Sequence, residues 1–372
     1  MVRGQESEEG GGHPQQVPDV SVGAVKELSS LADVEAALRA EGFFEGGADG
    51  LVADVFLGYG LSQVIRRSST PGPPEPCPLP AAAVRIRPAN EPLSPLPQSV
   101  AWRIGEWERS WSDLEYAAAV DAVRDAIAAG DVYQVNLVQH LSAPFRGDPA
   151  ALTAALAPLR PLVPRPLGGD GWTIVSASPE LFLRRRGRLV STMPIKGTRP
   201  LGVEGLAESE KDAAEHVMIV DLERNDLSRV CEPGSVRWPE LMAPRGLAGV
   251  EHLVSRVEGV LREQVGLTEL LHATFPGGSV TGAPKIAAVD LIAALEPVGR
   301  GASMGALGTI HPNGDLDLAL TIRTFAVADG RIHLWVGGGI VWDSDPAEEI
   351  EESWTKAGPL LAAIGSGIPV PA

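Results

Sequence analysis

The sequence predicts an α+β fold built on antiparallel sheet. Three patterns carry that reading: β-branched and aromatic runs that follow one another over short turns, helical periodicities scattered irregularly among them, and two turn pairs, Asn313-Gly314 and Asp329-Gly330, each set between apolar runs. Strict strand-helix alternation, the mark of a parallel sheet, is missing. No internal repeat is found.

Residues 1–19 are rich in Gly, Glu and Gln, have almost nothing to bury, and read as a disordered leader. Residues 20–111 form an N-terminal part of the fold, with an amphipathic stretch VKELSSLADVEAALRAEG and an apolar segment LVADVFLGYG. A proline-dense connector follows at 66–98, too rich in proline for a helix or a central strand. Residues 112–372 form the second region, where the helix and strand signals sharpen. Ser112 and Glu115 make a capping box, Tyr116, Val120, Val123 and Ile127 recur at helical spacing, and Gly130 stops the helix expected over 113–129. DVYQVNLVQHLSAPF reads as a strand with Tyr133, Val135 and Leu137 on one face. WTIVSASPELFLRRRGRLVSTMPIKGT reads as consecutive strands, residues 209–229 and 285–295 as helices, and 306–342 as an antiparallel meander. Asp345 as cap and Pro346 at the first helical position start a last helix.

With 31 Lys and Arg against 48 Asp and Glu, a net charge of -17, the chain lacks the clustered cations that phosphate-backbone binding needs, so nucleic acid is not expected as a partner. No run of 18 uncharged apolar residues appears, so no membrane span is expected either. The only cysteines, Cys77 and Cys231, stand in no disulfide or zinc spacing, which fits a reducing, cytoplasmic setting.

Two carboxylate pairs stand out. Asp212 and Glu215 are three apart on one helix, and Glu349 and Glu352 repeat the spacing near the start of the last, with Lys356 one turn on. Taken alone, Glu349 and Glu352 read as a solvated acidic face; four carboxylates converging from two helices would instead need a cation, and hard oxygen ligands suit Mg²⁺. FPGGSVTGAPK (275–285) lacks the Gly-Lys-Ser/Thr of a phosphate loop, and reads as a glycine-rich turn feeding a helix N-terminus that could receive a carboxylate. Gly338 and Gly339, within GGG, mark either close backbone approach to a ligand or a bulge. Lys196, held in the turn PIKGTRP, is either exposed or a desolvated nucleophile. Glu180 in SPELFL is an ordinary loop residue unless burial makes it a general acid. Arg323, in the β-branched run LTIRTF, calls for an anionic partner, while His252 in EHLV reads as a core histidine.

Together these segments resemble the chorismate-utilising enzymes, among them component I of anthranilate synthase and of aminodeoxychorismate synthase, isochorismate synthase and salicylate synthase. SPELFL, PIKGTRP, AEHVMIVDLERNDLSRV, EHLVSRVEG, FPGGSVTGAPK, LTIRT, GGGIVWDSDPAEEIEES and WTKA carry the likeness over about residues 112–363. The resemblance implies two stacked antiparallel sheets flanked by helices, chorismate as substrate and Mg²⁺ as cofactor. It implies Lys196 as nucleophile at ring carbon 2, Glu180 as the acid that protonates the departing hydroxyl, and His252 beside the ring. Glu215 and Glu352 would ligate Mg²⁺ with help from Asp212 and Glu349. Arg323, Gly338, Gly339, Gly282, Thr198 and Lys356 would contact the substrate. PIKGT, with Lys where anthranilate synthases look like PIAGT, points to aminodeoxychorismate synthase (para-aminobenzoate synthase) component I; anthranilate synthase component I and a catalytically silent chorismate-binding paralogue are the alternatives. Neither cysteine has the context of an amidotransferase nucleophile, so ammonia is expected from a separate glutamine amidotransferase subunit. Two departures, Ser303-Met304 before Gly305 and Thr309 after Gly308, suggest a looser enolpyruvyl side of the pocket. No Leu-Leu-Glu-Ser-like segment is present, so tryptophan inhibition is not expected.

Overall fold

The structure is a computed structural model that describes residues 23–93, 102–200, 210–247 and 250–368; the side chains of 197–200, 210–212, 214, 246, 247 and 250–252 lie outside that description. The expected leader, 1–19, also lies outside the described residues. The chain starts with β1 (Val25–Leu28), α1 (Leu31–Ala40), β2 (Leu51–Leu57) and β3 (Ala82–Pro88). VKEL is thus a strand, and Ser30 caps the helix by accepting from the Asp33 N–H. The expected connector is corrected at β3, which lies between β1 and β2 inside a sheet. Pro80 and Pro88 bound a stretch, AAAVRIR, that contains no proline, so nothing within it breaks the ladder.

Next come β4 (Arg103–Ile104), β5 (Glu108–Arg109), α2 (Asp113–Ala129), β6 (Gln134–Arg146), α3 (Leu152–Leu156), β7 (Leu167–Gly169) and β8 (Trp172–Ser176). The Ser112–Glu115 capping box and a left-handed Gly130 at φ 82° bound α2. Tyr133 does not share a buried face with Val135 and Leu137: it precedes β6 and is 69% exposed. The chain continues through β9 (Leu181–Arg186), β10 (Leu189–Met193), β11 (Ile195–Pro200), α4 (Glu210–Ser228), β12 (Arg237–Leu247), β13 (Val250–Val260), α5 (Leu267–Thr274), β14 (Gly282–Ala283) and α6 (Lys285–Leu295). It closes with β15 (Ala306–Ile310), β16 (Leu316–Leu320), β17 (Thr324–Ala328), β18 (Arg331–Ile340) and α7 (Pro346–Ala363).

Two antiparallel sheets result. One runs β1-β3-β2-β15-β16-β9-β10-β13-β11 with β12 on β13; the other runs β14-β6-β18-β17-β8-β7 with β4 and β5 on β6. They share a core in which Phe56 of the first meets Trp172 of the second, ring centroids 6.5 Å apart. A second apolar cluster lies under α7, where Leu360 and Leu361 are buried at about 1.5–3 kcal/mol each. The expected meander divides. Both turn pairs close hairpins, β15–β16 and β17–β18, but these belong to different sheets, because the chain changes sheet over residues 321–323. It also changes sheet between β8 and β9, over 177–180. The two crossovers are tied together: the Ala177 N–H donates to the Arg323 carbonyl and the Leu320 N–H to the Glu180 carbonyl, each at 2.9 Å. Among the described residues no helix is long and apolar enough to cross a membrane.

Candidate active site

Those paired crossovers bring Glu180 and Arg323, 143 positions apart in sequence, to one place. Arg323 adopts φ 51°, a left-handed backbone that costs a residue with a side chain about 1–3 kcal/mol. Its guanidinium lies in the field of the Glu180 carboxyl and is placed to meet an anion there. Burial holds its guanidinium below the usual value, against the opposing pull of Glu180. Arg323 therefore stands at a switch between sheets and not mid-strand, as its β-branched neighbours suggested. Glu180 is buried, accepts the Ser279 hydroxyl at 2.7 Å and is pushed above the ordinary carboxyl value by burial, which Ser279, Lys196 and Arg323 only partly offset. A neutral, proton-bearing carboxyl is what a general acid requires.

Lys196 lies on β11 opposite Leu253 of β13, next to α4, and its Nζ is 2.7 Å from Glu215 Oε1. Desolvation pulls this ammonium down, but Glu215, with Glu180 and Glu352, outweighs it and holds Lys196 above its ordinary value; Glu215 is correspondingly low. This corrects the reading of Lys196 as a lysine that desolvation alone makes neutral. The nearest charge is a carboxylate, and in this state the pair is ionised.

Across the site, β18 carries Gly338 and Gly339. A methyl group built on Gly338 would sit 3.3 Å from Glu349 Oε2 and Lys356 Nζ and 3.6 Å from Glu352 Oε1; one on Gly339 would sit 2.8 Å from Glu215 Oε1 and collide with the Gln134 carboxamide. Successive strand residues face opposite sides of a sheet, so the two helices deliver their carboxylates from either side of this glycine pair. Glu349 is buried and accepts the Ser344 hydroxyl at 2.6 Å, which corrects the solvated reading for that residue. Glu352 is half exposed and pairs with Lys356 at 2.6 Å; Lys356 also donates to the Gly337 carbonyl at 3.0 Å.

Among the described residues no three His, Cys, Asp or Glu side chains are already gathered as a metal cluster. Glu215 and Glu352 nonetheless fit Mg²⁺, which commonly takes one or two protein carboxylates and fills its remaining positions with water and substrate oxygens. The side chains of Asp212, Thr198 and His252 lie outside the described residues. Gly282 is buried at φ 143° with no room for a side chain, because Cβ would strike the Gln134 carbonyl. The glycine-rich segment does not run straight into a helix. It pairs with Val135 and Gln134 of β6 first, and α6 starts only at Lys285, whose side chain is taken by Asp226.

Neither sequence departure touches these groups. Ser303 is buried and its hydroxyl donates to the Thr321 carbonyl at 3.3 Å, while Thr309 lines a separate cleft of about 470 Å³ with Asp54, Arg87, Arg165 and Asp317. The chemistry-bearing residues are not in the wall of that cleft. Both cysteines are buried, their thiols pushed up to about 12 for Cys77 and about 11 for Cys231, so neither is a thiolate nucleophile. Sequence reading missed Gln134, Ser279 and Ser344. The first was visible only as one of two amides, with Asn136, in the apolar run DVYQVNLV, which is an ambiguous signal.

The sheets and this constellation define a class. The chain belongs to the chorismate binding enzyme family, which matches residues 69–362 and so reaches further toward the N-terminus than the motifs did. It is 41% identical over 298 residues to an anthranilate synthase component 1 of Streptomyces coelicolor, covering 76% of this chain and 58% of that one. It is 40% identical over 274 residues to an aminodeoxychorismate synthase component 1 of Klebsiella aerogenes, covering 70% and 60%. The chain thus spans about three fifths of the length of these relatives. Its fold is that of the crystal structure of anthranilate synthase component I from Streptococcus pneumoniae, with a TM-score of 0.78 over 96% of this chain and 95% of that one at 24% identity.

Proposed function

We propose that the chain is component I of an aminodeoxychorismate synthase, converting chorismate and ammonia to 4-amino-4-deoxychorismate. The observation that carries this reading is the lysine of PIKGT, largely shielded from solvent and 2.7 Å from Glu215. Once released from Glu215 and deprotonated, Lys196 attacks ring carbon 2, both ring double bonds shift by one position toward carbon 4, and the hydroxyl on carbon 4 leaves as water with the proton of Glu180. Ammonia then adds at carbon 4, both double bonds shift back, and the Lys196 amine departs from carbon 2. A temporary adduct splits one hard displacement into two. Arg323 and the Gly338-Gly339 backbone hold the enolpyruvyl carboxylate. Lys356, Thr198 and the Gly282 region hold the rest of the substrate, with His252 beside the ring. Glu215 and Glu352, helped by Asp212 and Glu349, hold Mg²⁺, which when bound neutralises the ring carboxylate. Ammonia comes from a separate glutamine amidotransferase subunit, and the protein works in the cytoplasm.

A second reading, anthranilate synthase component I, is favoured by the equally similar Streptomyces coelicolor relative. Product analysis with chorismate, Mg²⁺ and ammonium salt separates them. A non-aromatic amino product without pyruvate supports the first reading; stoichiometric pyruvate and fluorescent anthranilate support the second. No turnover of chorismate at all would indicate a silent paralogue.

A further inference from the structure

Glu215 Oε1 receives two donors, Lys196 Nζ at 2.7 Å and Gln134 Nε2 at 2.6 Å. Only one of them can be spared for chemistry. If Lys196 leaves to act as a nucleophile, a partly buried carboxylate loses its ion pair and is free to turn unless the second donor keeps it in place. We propose that Gln134 is the positioning residue that holds Glu215 in its cation-binding orientation while Lys196 is released, and that position 339 is glycine to admit the Gln134 carboxamide. The proposal rests on the reading of Glu215 as a Mg²⁺ ligand given above.

Three further features support it. Gln134 is almost fully buried at the first residue of β6, where β14 pairs with it through Ala283 and the neighbouring Val135 pairs with Ile340, so its backbone cannot drift. Its Oε1 has no hydrogen-bond partner among the described residues, which costs about 1–3 kcal/mol in a buried setting and is accepted here although an apolar side chain would avoid it. A methyl on Gly339 would meet the Gln134 carboxamide at 1.9 Å, its tightest contact, and Glu215 Oε1 at 2.8 Å, with no backbone among its closest neighbours. Groups that orient a metal ligand are worth about 10–100-fold in metal affinity.

The test is a double-mutant cycle of Gln134→Ala and Gly339→Ala, read by calorimetric titration with Mn²⁺ in place of Mg²⁺ and without chorismate, beside kcat and KM and a thermal melt. Each single variant should bind Mn²⁺ about 10–100-fold more weakly and lose kcat, with a wild-type melt. The loss in the double variant should be smaller than the product of the two single losses, since a methyl group at position 339 then has no carboxamide to push away and keeps only its 2.8 Å approach to Glu215 Oε1. Wild-type Mn²⁺ affinity in Gln134→Ala, or losses that multiply in the double variant, would overturn the proposal, as would a wild type that binds no Mn²⁺. Should Gln134→Ala fail to fold, Gln134→Met, which keeps the side-chain length and carries no amide donor, decides by the same Mn²⁺ criterion. Anthranilate as the wild-type product would overturn the proposed activity while leaving the ratio of Mn²⁺ affinities to judge Gln134.

Discussion

Arg300→Leu should destabilise the protein by breaking the buried ion pair on which the candidate site is built. Arg300 is about 1% exposed. It donates to Glu296 at 2.9 and 2.7 Å, to the Val280 carbonyl at 2.8 Å and to the Asn136 carbonyl at 2.7 Å, and lies 4.6 Å from the centre of the Tyr59 ring. Glu296 in turn accepts the Val138 N–H at 3.1 Å. Arg300 thereby anchors β6 next to Gln134 and the turn that carries Ser279 to Glu180. Removing the cation leaves Glu296 buried and uncompensated, at a cost of about 3–5 kcal/mol. With an unfolding entropy of about 2.1 cal/mol/K per residue over 372 residues, roughly 0.8 kcal/mol/K in all, the melting temperature should fall by about 4–6 °C. Glu296 already lies above the ordinary carboxyl value because burial outweighs Arg300, and without Arg300 it lies higher still. A carboxyl raised by folding contributes stability at low pH and loses it as pH climbs through its folded value, so the deficit should be smallest in acid and grow above pH 4.5. Scanning calorimetry of the wild type, Arg300→Leu and Glu296→Leu/Arg300→Leu across pH measures all of this. The double variant should regain more than half of the loss. A single variant melting within about 1 °C of the wild type, or a double variant less stable than the single, would refute the reasoning.

Lys196→Ala should abolish a chorismate-derived mass increment that the wild-type protein acquires in the absence of ammonia, and Glu180→Gln should lower kcat about 10²–10⁴-fold. Intact-protein mass spectrometry that finds the increment in Lys196→Ala removes the nucleophile from the mechanism. Glu215→Gln and Glu352→Gln should raise the Mg²⁺ needed for half-maximal activity far more than Glu348→Gln or Glu351→Gln, which point to other faces of α7; equal effects would mean the cation site is misplaced. His140 and His333, hydrogen-bonded at 3.0 Å and stacked between β6 and β18, are pushed down by burial to about 3 and about 4. Both are neutral in the fold, so their contribution is complete above pH 6.5 and falls as pH drops toward those values, by about 2 kcal/mol each at pH 5. Urea midpoints of the wild type should fall between pH 7 and pH 5 more than those of His140→Gln/His333→Gln, and identical falls would count against the assignment.

What the sequence determined by itself was local. Ser112 with Glu115, Gly130, and Asp345 with Pro346 bounded their helices within a residue or two, because caps act over three or four positions of one segment. Asn313-Gly314 and Asp329-Gly330 marked their hairpins for the same reason. Lys196, Glu180 and the carboxylates of α4 and α7 were recognisable as chemistry because their motifs are contiguous. Only the tertiary structure decided which of them meet. Glu180 reaches Arg323 because two sheet crossovers run side by side, and Glu215 reaches Lys196 because α4 lies against the sheet that holds β11 and β13. No spacing rule encodes such pairings, since they join residues tens to hundreds of positions apart. Charge state depended on the same packing: burial alone predicted a neutral Lys196, whereas the carboxylate placed against it holds the proton. Gln134 shows the limit most plainly. Along the chain it is one amide in an apolar strand, and it becomes a candidate part of the site only where β6, β14, β18 and α4 come together around it.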